Sequence, residues 1–586
     1  MYLKKTPVKR TGRVYLSIVQ GYRDKERGYS TNKVVRKLGY LDDLQKEYDD
    51  PIAHFTQVAS EMSRKAGTES TTATIHIDFD EKLPAGSDAR MNLGYAAILK
   101  IFHELKLNTF LRNKQRGNDF EYNTYTIMLL LVISRLLSPA SKKRTYEDRT
   151  RYFERFDFEL HDVYRSLSFF AKKDTQVQRH IHEQINVSYG RNTEFVYYDV
   201  TNYYFEIDEE DELRRKGVGK EHRPDPIVQM GLAMDADGLP IAYKLYPGNT
   251  NDALTLRPIL GELKREYDLG RTIVVADKGI NSGDNIYYMK TDNDKDGYVL
   301  SFSVRGATDA FKAYVLDETG YYQKREQPSA DAFPDTQDGT FKIKSRTEVR
   351  YIKVTKADGG KMTKAVDEKQ VVYYSQKYAD RAKADRAEAV RKARDLCASP
   401  SKYNKATSCG AAKYVKNIEF DKDTGEILTS KGRRPVFDEA KLAEEEKYDG
   451  YYAIVTSELD KSDDWVIQTY RGLWEIEESF KITKSELETR PIYVSREDHI
   501  KAHFLTCFIA LVIARLLEKT TNARFPLPQM VEALNKLSCS FEAENIFLLD
   551  YRSAITDAIG SAIGVDFNKR RFSMGQIRKI LAHCKK

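Results

Sequence analysis

Between residues 194 and 280 the sequence contains four strand patterns and one helix pattern, in the order β-β-β-α-β. The strand patterns are rich in β-branched and aromatic residues and read FVYYDVTNYYFEI, IVQMGLAMD, PIAYKLYPG and TIVVADKGI. A turn at Ala236-Asp237-Gly238 separates the second from the third, and the helix pattern covers residues 253–267. This order predicts a mixed α/β core that begins with an antiparallel meander and continues into a buried strand.

Three further regions surround this core. Residues 12–39 alternate apolar residues with polar or basic ones, which predicts a small basic hairpin, and residues 91–189 have helical periodicity. Residues 303–448 are polar and charged, with strand-like pieces and one charged helix, and α/β character resumes at GYYAIVTS. We interpret residues 303–448 as a β-rich insertion into the core.

Composition excludes several classes of protein. A chain of 586 residues with 41% hydrophobic residues can bury several cores, so wholesale disorder is not expected. The net charge of +7 is small, and a polyanion partner must therefore be argued from local patches. Five widely separated cysteines and the lack of a signal peptide predict a reduced, cytoplasmic chain. The apolar runs at 127–133 and 504–514 are shorter than the roughly 18 residues that cross a bilayer, and predict core helices.

Two aspartates lie in apolar strand patterns. Asp199 lies within FVYYDVTNYY, and Asp277 ends TIVVAD. Sheets of α/β proteins collect ligand-binding groups at the carboxyl ends of their strands, so the two residues are candidate metal ligands. An aspartate that closes a strand is also a common turn former or helix N-cap, and either residue alone leaves both interpretations open.

A third acid is selected by helical periodicity. In TYRGLWEIEESFKITKSEL, one stripe with alternating spacings of three and four is formed by Tyr470, Leu473, Glu477, Phe480, Lys484 and Leu487. This spacing predicts that Glu477 lies on the packed face, with Glu475 nearly opposite. A carboxylate there needs a partner that offsets its desolvation, and two partners are open: Lys484, two turns along the helix, or a cation.

Three converging carboxylates would suit two divalent ions, because hard oxygen ligands select Mg²⁺ or Mn²⁺. A pair of such ions can bind the attacking and the leaving oxygen of a phosphoryl displacement, which indicates chemistry on phosphodiesters. The chain lacks the sequence signatures of a P-loop, of a G-x-S-x-G elbow and of an H-E-x-x-H zinc site. NTPase, serine hydrolase and zinc protease functions therefore have no motif to support them.

Four ordered blocks resemble the DDE transposases of bacterial insertion sequences: YYDVTNYYFE, HRPDPIVQMGLAMDADGLPIAYKLYPGNTND, VVADKGINS and YRGLWEIEESFKITKSELETRPIYV. The resemblance covers essentially the whole chain and is to the branch with a Y-x2-R-x3-E-x6-K signature. It implies an RNase H-like mixed-sheet catalytic core that is interrupted by a β-rich insertion. It also implies that Asp199, Asp277 and Glu477 form the catalytic, metal-binding triad.

The signature implies that Tyr470 and Lys484 hold phosphates of the DNA end. Leu473 stands at the position of the signature arginine, and this is a departure from the family pattern. Arg471 lies about 160° around the helix from Leu473 and cannot simply replace it. The departure weakens an arginine contact and leaves the triad untouched.

Two basic segments are further candidates for DNA contacts. The stretch after Ser138-Pro139 predicts a helix whose Lys142, Lys143 and Arg144 contact phosphates, the alternative being a solvated helix face. His222 and Arg223, in the loop KEHRPD, are predicted to approach DNA or the leaving group, the alternative being solvated loop residues.

The resemblance implies a transposase that binds the terminal inverted repeats of its element and catalyses strand cleavage and strand transfer with two Mg²⁺ ions, for which Mn²⁺ substitutes. Its expected partners are double-stranded terminal-repeat and target DNA and a second copy in a homodimeric synaptic complex, with no membrane. The expected location is the cytoplasm, in association with the nucleoid. Two alternatives remain: a metal-dependent nuclease on the same core, and a catalytically idle DNA-binding protein derived from a transposase.

The predicted organisation has six parts. They are an N-terminal basic hairpin unit and linker (1–82), a helical DNA-binding domain (83–190), the first part of the RNase H-like core (191–302), the β-rich insertion (303–448), the second part of the core (449–520) and a C-terminal helical region (521–586).

Overall fold

The computed structural model describes residues 1–8, 12–23, 30–68, 79–80, 82, 85, 89–207, 209–217, 225–291, 296–323, 341–403, 407–408, 410–420, 427 and 434–586. The chain forms two compact units, Met1–Leu83 and Pro84–Lys586. Each unit is described separately below.

The N-terminal unit is a three-stranded antiparallel sheet with two helices. Its elements are β1 (Tyr2–Pro7), β2 (Val14–Arg23), β3 (Ser30–Tyr40), α1 (Leu41–Leu44) and α2 (Pro51–Thr68). A small core contains Leu16, Leu44 and Phe55. The predicted hairpin is the β2–β3 pair, whereas β1 was not predicted, because most of its residues are exposed and carry no apolar alternation.

The second unit begins with a short strand and five helices. They are β4 (Arg90–Asn92), α3 (Ala96–Glu104), α4 (Leu107–Gln115), α5 (Thr124–Leu137), α6 (Lys142–Glu147) and α7 (Leu160–Tyr189). Helix α5 is buried along nearly its whole length, as the apolar run at 127–133 predicts. Helix α7 is one continuous helix of 30 residues.

The predicted β-β-β-α-β order is confirmed in the centre of the unit. The elements are β5 (Phe195–Tyr204), β6 (Ile227–Met234), β7 (Pro240–Pro247), α8 (Leu256–Glu266), β8 (Ile273–Ala276), α9 (Gly283–Thr291) and β9 (Gly297–Phe302). Strands β5, β6 and β7 form the antiparallel meander. Strand β8 pairs with β5 in parallel, and β9 pairs with β8 in parallel.

The inserted region extends this sheet. Its elements are α10 (Asp309–Leu316), β10 (Tyr322–Gln323), β11 (Lys342–Thr355), β12 (Lys361–Tyr374), α11 (Gln376–Ala398), β13 (Val415–Lys416), β14 (Val436–Phe437) and α12 (Glu439–Glu446). Strands β11 and β12 form a long antiparallel hairpin, and β12 pairs with β15 (Tyr451–Thr456) of the core. The one charged helix predicted within the insertion is α11, which has 23 residues.

The chain ends in a second set of helices and a small sheet. They are α13 (Asp463–Arg471), α14 (Trp474–Lys484), α15 (Glu497–Thr520), α16 (Leu527–Lys536), β16 (Ser538–Ala543), β17 (Ile546–Leu549), α17 (Ala554–Ile563), β18 (Arg571–Ser573) and α18 (Met574–Cys584). The stripe from Tyr470 to Leu487 predicted one helix, but the chain forms two, α13 and α14. The junction packs closely on β5, since a Cβ atom at Gly472 would lie 2.2 Å from the Tyr197 hydroxyl oxygen.

Two hydrophobic cores cover the faces of the nine-stranded sheet, whose order is β10-β11-β12-β15-β9-β8-β5-β6-β7. Helices α8 and α9 pack on one face, and α13, α14 and α15 contribute to the core on the other. Helix α15 also packs against α3, α5 and α7. The predicted boundary at residue 190 therefore does not coincide with a gap in the core.

Helix α15 is long and apolar enough to cross a membrane by length and composition alone. Its most apolar window is 94% buried inside the protein. We therefore assign α15 as a core helix, in agreement with the prediction for the run at 504–514.

Candidate active site

Asp199 and Asp277 lie side by side in the sheet. In the parallel pairing of β5 with β8, Tyr198 is opposite Ala276, and each aspartate is the next residue of its chain. Neighbouring strands are about 4.8 Å apart, so the two carboxylates start from adjacent backbone positions. The sheet thus brings together two acids that are far apart in sequence.

Both aspartates face the same side of the sheet. Two residues before them, Tyr197 and Val275 point into the core that contains α13 and α14. Because side chains alternate between the two faces of a strand, Asp199 and Asp277 are directed to that same side. Each is partly exposed, which leaves the pair accessible from solvent.

Three donors fix one oxygen of the Asp277 carboxylate. The Ser301 hydroxyl donates to Oδ1 at 2.6 Å, the backbone N–H of Lys278 donates at 2.7 Å, and the Tyr470 hydroxyl donates at 3.4 Å. Of the donors in the described ranges, none hydrogen-bonds to Oδ2. The carboxylate is therefore oriented, with one oxygen left for another ligand.

Tyr470 is part of this arrangement. It lies in the last turn of α13, and its hydroxyl is 3.4 Å from that of Tyr452 on β15. Burial first, and then the neighbouring Tyr452 and Asp277, raises the pKa of the Tyr470 hydroxyl. The hydroxyl therefore stays protonated and can donate a hydrogen bond to an anionic oxygen beside Asp277.

Helix α14 runs along β5 and carries Glu477. Gly472 contacts Tyr197 just before the helix, and the Thr483 hydroxyl lies 2.8 Å from the Tyr203 hydroxyl near its end. At about 3.3 Å per strand residue and 1.5 Å per helix residue, Asp199 is level with roughly residue 476 of the helix. Glu477 therefore belongs to the turn of α14 that passes Asp199.

The prediction that Glu477 lies on the packed face is wrong. Leu473 and Phe480 of the predicted stripe are buried, but Glu477 is exposed, while Ile476 and Ser479 are buried. The buried residues of α14 are Ile476, Ser479, Phe480, Ile482 and Thr483, and Glu477, about 100° around the helix from Ile476, lies beside this face.

Lys484, one of the two predicted partners of Glu477, forms no described ion pair with it. Within the described part of the chain, the Glu477 carboxylate forms no ion pair, and the Lys484 ammonium lies 5.7 Å from the centre of the Tyr203 ring. The described residues also contain no group of three His, Cys, Asp or Glu side chains close enough to hold a metal ion. The two aspartates are thus adjacent in the sheet, and the Glu477 carboxylate does not lie close enough to share a metal ion with them.

The donors present fit a hard divalent cation. Asp199 and Asp277 supply partly exposed carboxylates, and the oriented Asp277 has an oxygen without a described donor. Carboxylate oxygens are the ligands that Mg²⁺, Mn²⁺ and Ca²⁺ prefer. A third ligand from Glu477 requires its flexible side chain, or α14 itself, to move toward the aspartates.

Lys142 was predicted to contact DNA, and this prediction is wrong. Its side chain is 4% exposed, and its Nζ lies 3.0 Å from Nδ1 of His503 on α15. Burial lowers the pKa of Lys142 to about 7. A residue enclosed in this way is unavailable to a phosphate, because the first helical turn of α6 faces the core at this position.

The other predicted basic contacts differ in their surroundings. Lys143 and Arg144 are exposed, and Arg144 forms an ion pair of 2.9 Å with Asp148. His222 and Arg223 lie outside the described residues.

The departure at Leu473 has a structural counterpart. Leu473 is buried at the junction of α13 and α14 and cannot reach a phosphate. The Arg471 guanidinium lies 5.8 Å from the centre of the Phe341 ring, beside the insertion. Arg471 therefore does not occupy the direction in which a side chain at position 473 would point.

Sequence reasoning did not identify Ser301 as part of the site. The serine lies in the strand β9, whose sequence is GYVLSF, and it is buried. Its polar side chain in an otherwise apolar strand was the one available signal, because no motif marks the position.

Comparison with protein families identifies the class of protein to which this fold and these acids belong. Residues 212–513, more than half of the chain, match the family described as the transposase DDE domain. The chain belongs to the DDE transposases, enzymes that transpose DNA and depend on divalent metal ions. Residues 3–73 match the N-terminal domain of IS1634 family transposases. The DDE match contains Asp277 and Glu477 and begins after Asp199, and no curated protein matches the chain.

Similarities to solved structures are remote. The piggyBac transposase synaptic complex with hairpin DNA matches with a TM-score of 0.32 and 8% identity, over 85% of this chain and 86% of that chain. The Mos1 transposase paired-end complex with left transposon end matches with a TM-score of 0.14 and 13% identity, over 43% of this chain and 68% of that chain.

Proposed function

We propose that this transposase cuts and joins DNA at one site, in which Asp199, Asp277 and Glu477 hold two Mg²⁺ ions. The observation that carries the proposal is the adjacency of Asp199 and Asp277 on one face of the sheet, under the helix that carries Glu477. Mn²⁺ would substitute, because it prefers the same oxygen ligands. When bound, such ions supply stabilisation of the attacking and leaving oxygens of an in-line displacement.

The core is proposed to be RNase H-like. The supporting feature is the order β7-β6-β5-β8-β9, in which three antiparallel strands are followed by two parallel ones. In such a sheet the first and fourth strands in sequence are neighbours, and here they carry Asp199 and Asp277. The inserted strands join the sheet beyond the core strand β15, and Asp199 and Asp277 are partly exposed.

The neighbouring side chains have separate roles in the proposed reaction. Ser301 holds Oδ1 of Asp277, and Tyr470 presents a protonated hydroxyl beside the same carboxylate. Tyr470 is therefore placed to donate to a phosphate oxygen of the DNA end. Lys484, in the last turn of α14, would add positive charge at the other end of the helix.

The DNA is proposed to be the terminal inverted repeats of the element and its target. Exposed basic side chains on the N-terminal sheet support phosphate contacts by that unit. They are Lys4, Lys5, Lys33, Arg36 and Lys37. Lys143 and Arg144 of α6 are exposed candidates in the second unit. We propose a homodimer in the synaptic complex, because two DNA ends must be held together, and action at the bacterial nucleoid.

The test is incubation of the chain with labelled DNA that carries the ends of its element, a target plasmid and Mg²⁺. Strand-joined products are expected, and Asp199→Asn should abolish them while Asp309→Asn, at a fully exposed carboxylate on α10, should not. Cleavage without joining would identify a nuclease. Equal behaviour of wild type and Asp199→Asn would show that the proposed site is idle.

A further inference from the structure

A chain of polar contacts connects the inserted hairpin to the second aspartate. It begins at Glu368 on β12, whose side chain is 0% exposed. The Glu368 carboxylate accepts a hydrogen bond of 3.0 Å from Arg350 on β11 and one of 3.2 Å from the Tyr298 hydroxyl. A carboxylate this deeply buried requires a cationic partner, so the Arg350 guanidinium is held in one position.

Arg350 reaches from this ion pair to the loop that follows Asp277. Both of its terminal nitrogens donate to Asn281 Oδ1, each at 3.2 Å. The guanidinium also lies 4.7 Å from the centre of the Phe302 ring, which restricts it further. Arginine suits this place because its planar fork can bind two acceptors at once.

Asn281 connects Arg350 to β9, the strand that carries Ser301. Its Nδ2 donates to the carbonyl oxygen of Ser301 at 2.9 Å, and the Ser301 hydroxyl donates to Asp277 Oδ1 at 2.6 Å. Asn281 also lies in the turn that begins at Asp277, where its own N–H donates to the carbonyl of Lys278. Its side chain thus joins the two segments that fix the Asp277 carboxylate.

Two more contacts hold β11 against the same loop. Thr355 donates to the Asp284 carboxylate through its backbone N–H at 2.6 Å and through its hydroxyl at 2.9 Å. A Cβ atom at Gly283 would lie 2.2 Å from the Lys353 carbonyl oxygen, so strand and loop are in close contact. The position of Arg350 relative to Asn281 is therefore set by backbone packing as well as by its own bonds.

We propose that Arg350 of the insertion is a positioning residue for the metal site, acting through Asn281 and Ser301 on Asp277. The inference rests on the proposed function, in that Asp277 is taken as a metal ligand. Removal of a group that contacts a ligating carboxylate, as Ser301 does, typically changes metal affinity by about 10–100-fold, and Arg350 acts on Ser301 through Asn281, so the lower end of that range is expected. Through Arg350 the insertion would thus contribute to catalysis from within the sheet.

The test is a Mn²⁺ titration of the full chain without DNA. The electron paramagnetic resonance signal of unbound Mn²⁺ measures how much of the ion is bound at each step. Arg350→Gln should weaken Mn²⁺ binding by about 10-fold. Arg350→Lys should recover part of the loss, since an ammonium can still donate to Asn281. The Mg²⁺ concentration for half-maximal DNA cleavage should rise by the same factor.

Arg346→Gln is the matched control. Arg346 lies on the same strand, 4.0 Å from the centre of the Tyr314 ring, and donates to Gln370 at 2.9 Å, so its removal also costs an aromatic contact and a hydrogen bond. Its Mn²⁺ affinity should stay within about two-fold of wild type. Equal losses in both variants, or wild-type affinity in Arg350→Gln, would overturn the proposal.

Two further variants cover the case in which Arg350→Gln does not fold. Arg350→Gln with Glu368→Gln removes the buried charge pair together, and Asn281→Ser breaks the link to Ser301 while leaving the pair intact. Both should show the same 10-fold loss, and wild-type affinity in Asn281→Ser would refute the pathway.

Asp277→Asn separates this inference from the proposed function. If Asp277→Asn binds Mn²⁺ as wild type does, the proposed metal site is wrong. If Asp277→Asn loses Mn²⁺ but Arg350→Gln does not, the site stands and only the role of Arg350 fails.

Discussion

The two halves of the candidate site differ in how firmly they are held. Asp277 accepts hydrogen bonds from Ser301, Lys278 and Tyr470, and it follows directly on a strand buried in the sheet. Glu477 lies on an exposed part of α14, and among the described residues its carboxylate has no ion-pair partner. The strand half is therefore preorganised, whereas the helix half would have to close on it to form the proposed metal site.

The open half is anchored at one end. Beyond α14, the Thr489 carbonyl oxygen lies 3.0 Å from His503 Nε2, and Arg135 donates to the carbonyls of Leu487 and Glu488 at 3.1 Å. These contacts fix the chain after the helix and leave the turn that carries Glu477 exposed. If Glu477 is a metal ligand as proposed, a local movement of α14 or of its side chain must bring it to the aspartates.

The largest expected effect is on catalysis and tests whether both halves are needed. Asp277→Asn and Glu477→Gln should each slow strand cleavage by about 10³-fold, because bound metal supplies several kcal/mol of transition-state stabilisation. A gel assay of end cleavage measures the rate, with Glu444→Gln on the exposed face of α12 as control. A normal cleavage rate in Glu477→Gln would show that α14 supplies no catalytic carboxylate.

Stability should separate the two halves in the absence of metal. Asp277→Ala should lower the free energy of unfolding by about 1–2 kcal/mol, because the Ser301 hydroxyl loses its acceptor. Glu477→Ala should change it by less than about 0.5 kcal/mol, as expected for an exposed side chain. Urea unfolding followed by circular dichroism gives both values, and equal losses would show that Glu477 is as firmly held as Asp277.

Ser301→Ala tests how much the preorganisation contributes. The variant keeps the Asp277 carboxylate but removes its shortest hydrogen bond, so the Mg²⁺ requirement for cleavage should rise by about 10-fold. Tyr470→Phe removes a longer bond and should raise that requirement less. Cleavage rates at a series of Mg²⁺ concentrations decide the matter, and an unchanged requirement in Ser301→Ala would indicate that orientation of Asp277 does not matter.

The last effect concerns the anchor of the helix half and depends on pH. Burial lowers the pKa of Lys142 to about 7 in the folded chain, below its ordinary value near 10.5. Between these values the unfolded chain binds a proton that the folded chain does not, so Lys142 makes stability rise with pH, by at most about 1.4 kcal/mol per unit.

Lys142→Met should remove this rise and leave DNA affinity unchanged. The free energy of unfolding of both proteins is measured from pH 7 to pH 10. The difference between wild type and Lys142→Met should change with pH. Parallel curves would mean that Lys142 keeps an ordinary pKa.

Lys143→Gln is the matching variant at the neighbouring exposed lysine, and it should reduce the salt dependence of DNA binding by about one phosphate contact.

The strand half of the site could be predicted from sequence because local pattern determines it. The β-branched and aromatic pattern FVYYDVTNYY and the apolar run TIVVAD place both aspartates at strand positions, and the resemblance to DDE transposases implies that the two converge. The face of Glu477 could not be predicted, because Ile476 and Glu477 both fit spacings of three and four between Leu473 and Phe480, and only packing decides which of them is buried. Contacts with Ser301 and Arg350 depend on strands that are distant in sequence, and periodicity carries no information about them.

The central claim is that the helix half closes on the strand half around divalent ions. A structure of the chain bound to a DNA end with Ca²⁺, which occupies oxygen sites and supports the chemistry poorly, measures this directly. The account predicts carboxylate oxygens of Asp199, Asp277 and Glu477 at about 2.3–2.6 Å from bound Ca²⁺. Ca²⁺ held by the aspartates alone, with Glu477 still turned to solvent on α14, would contradict it.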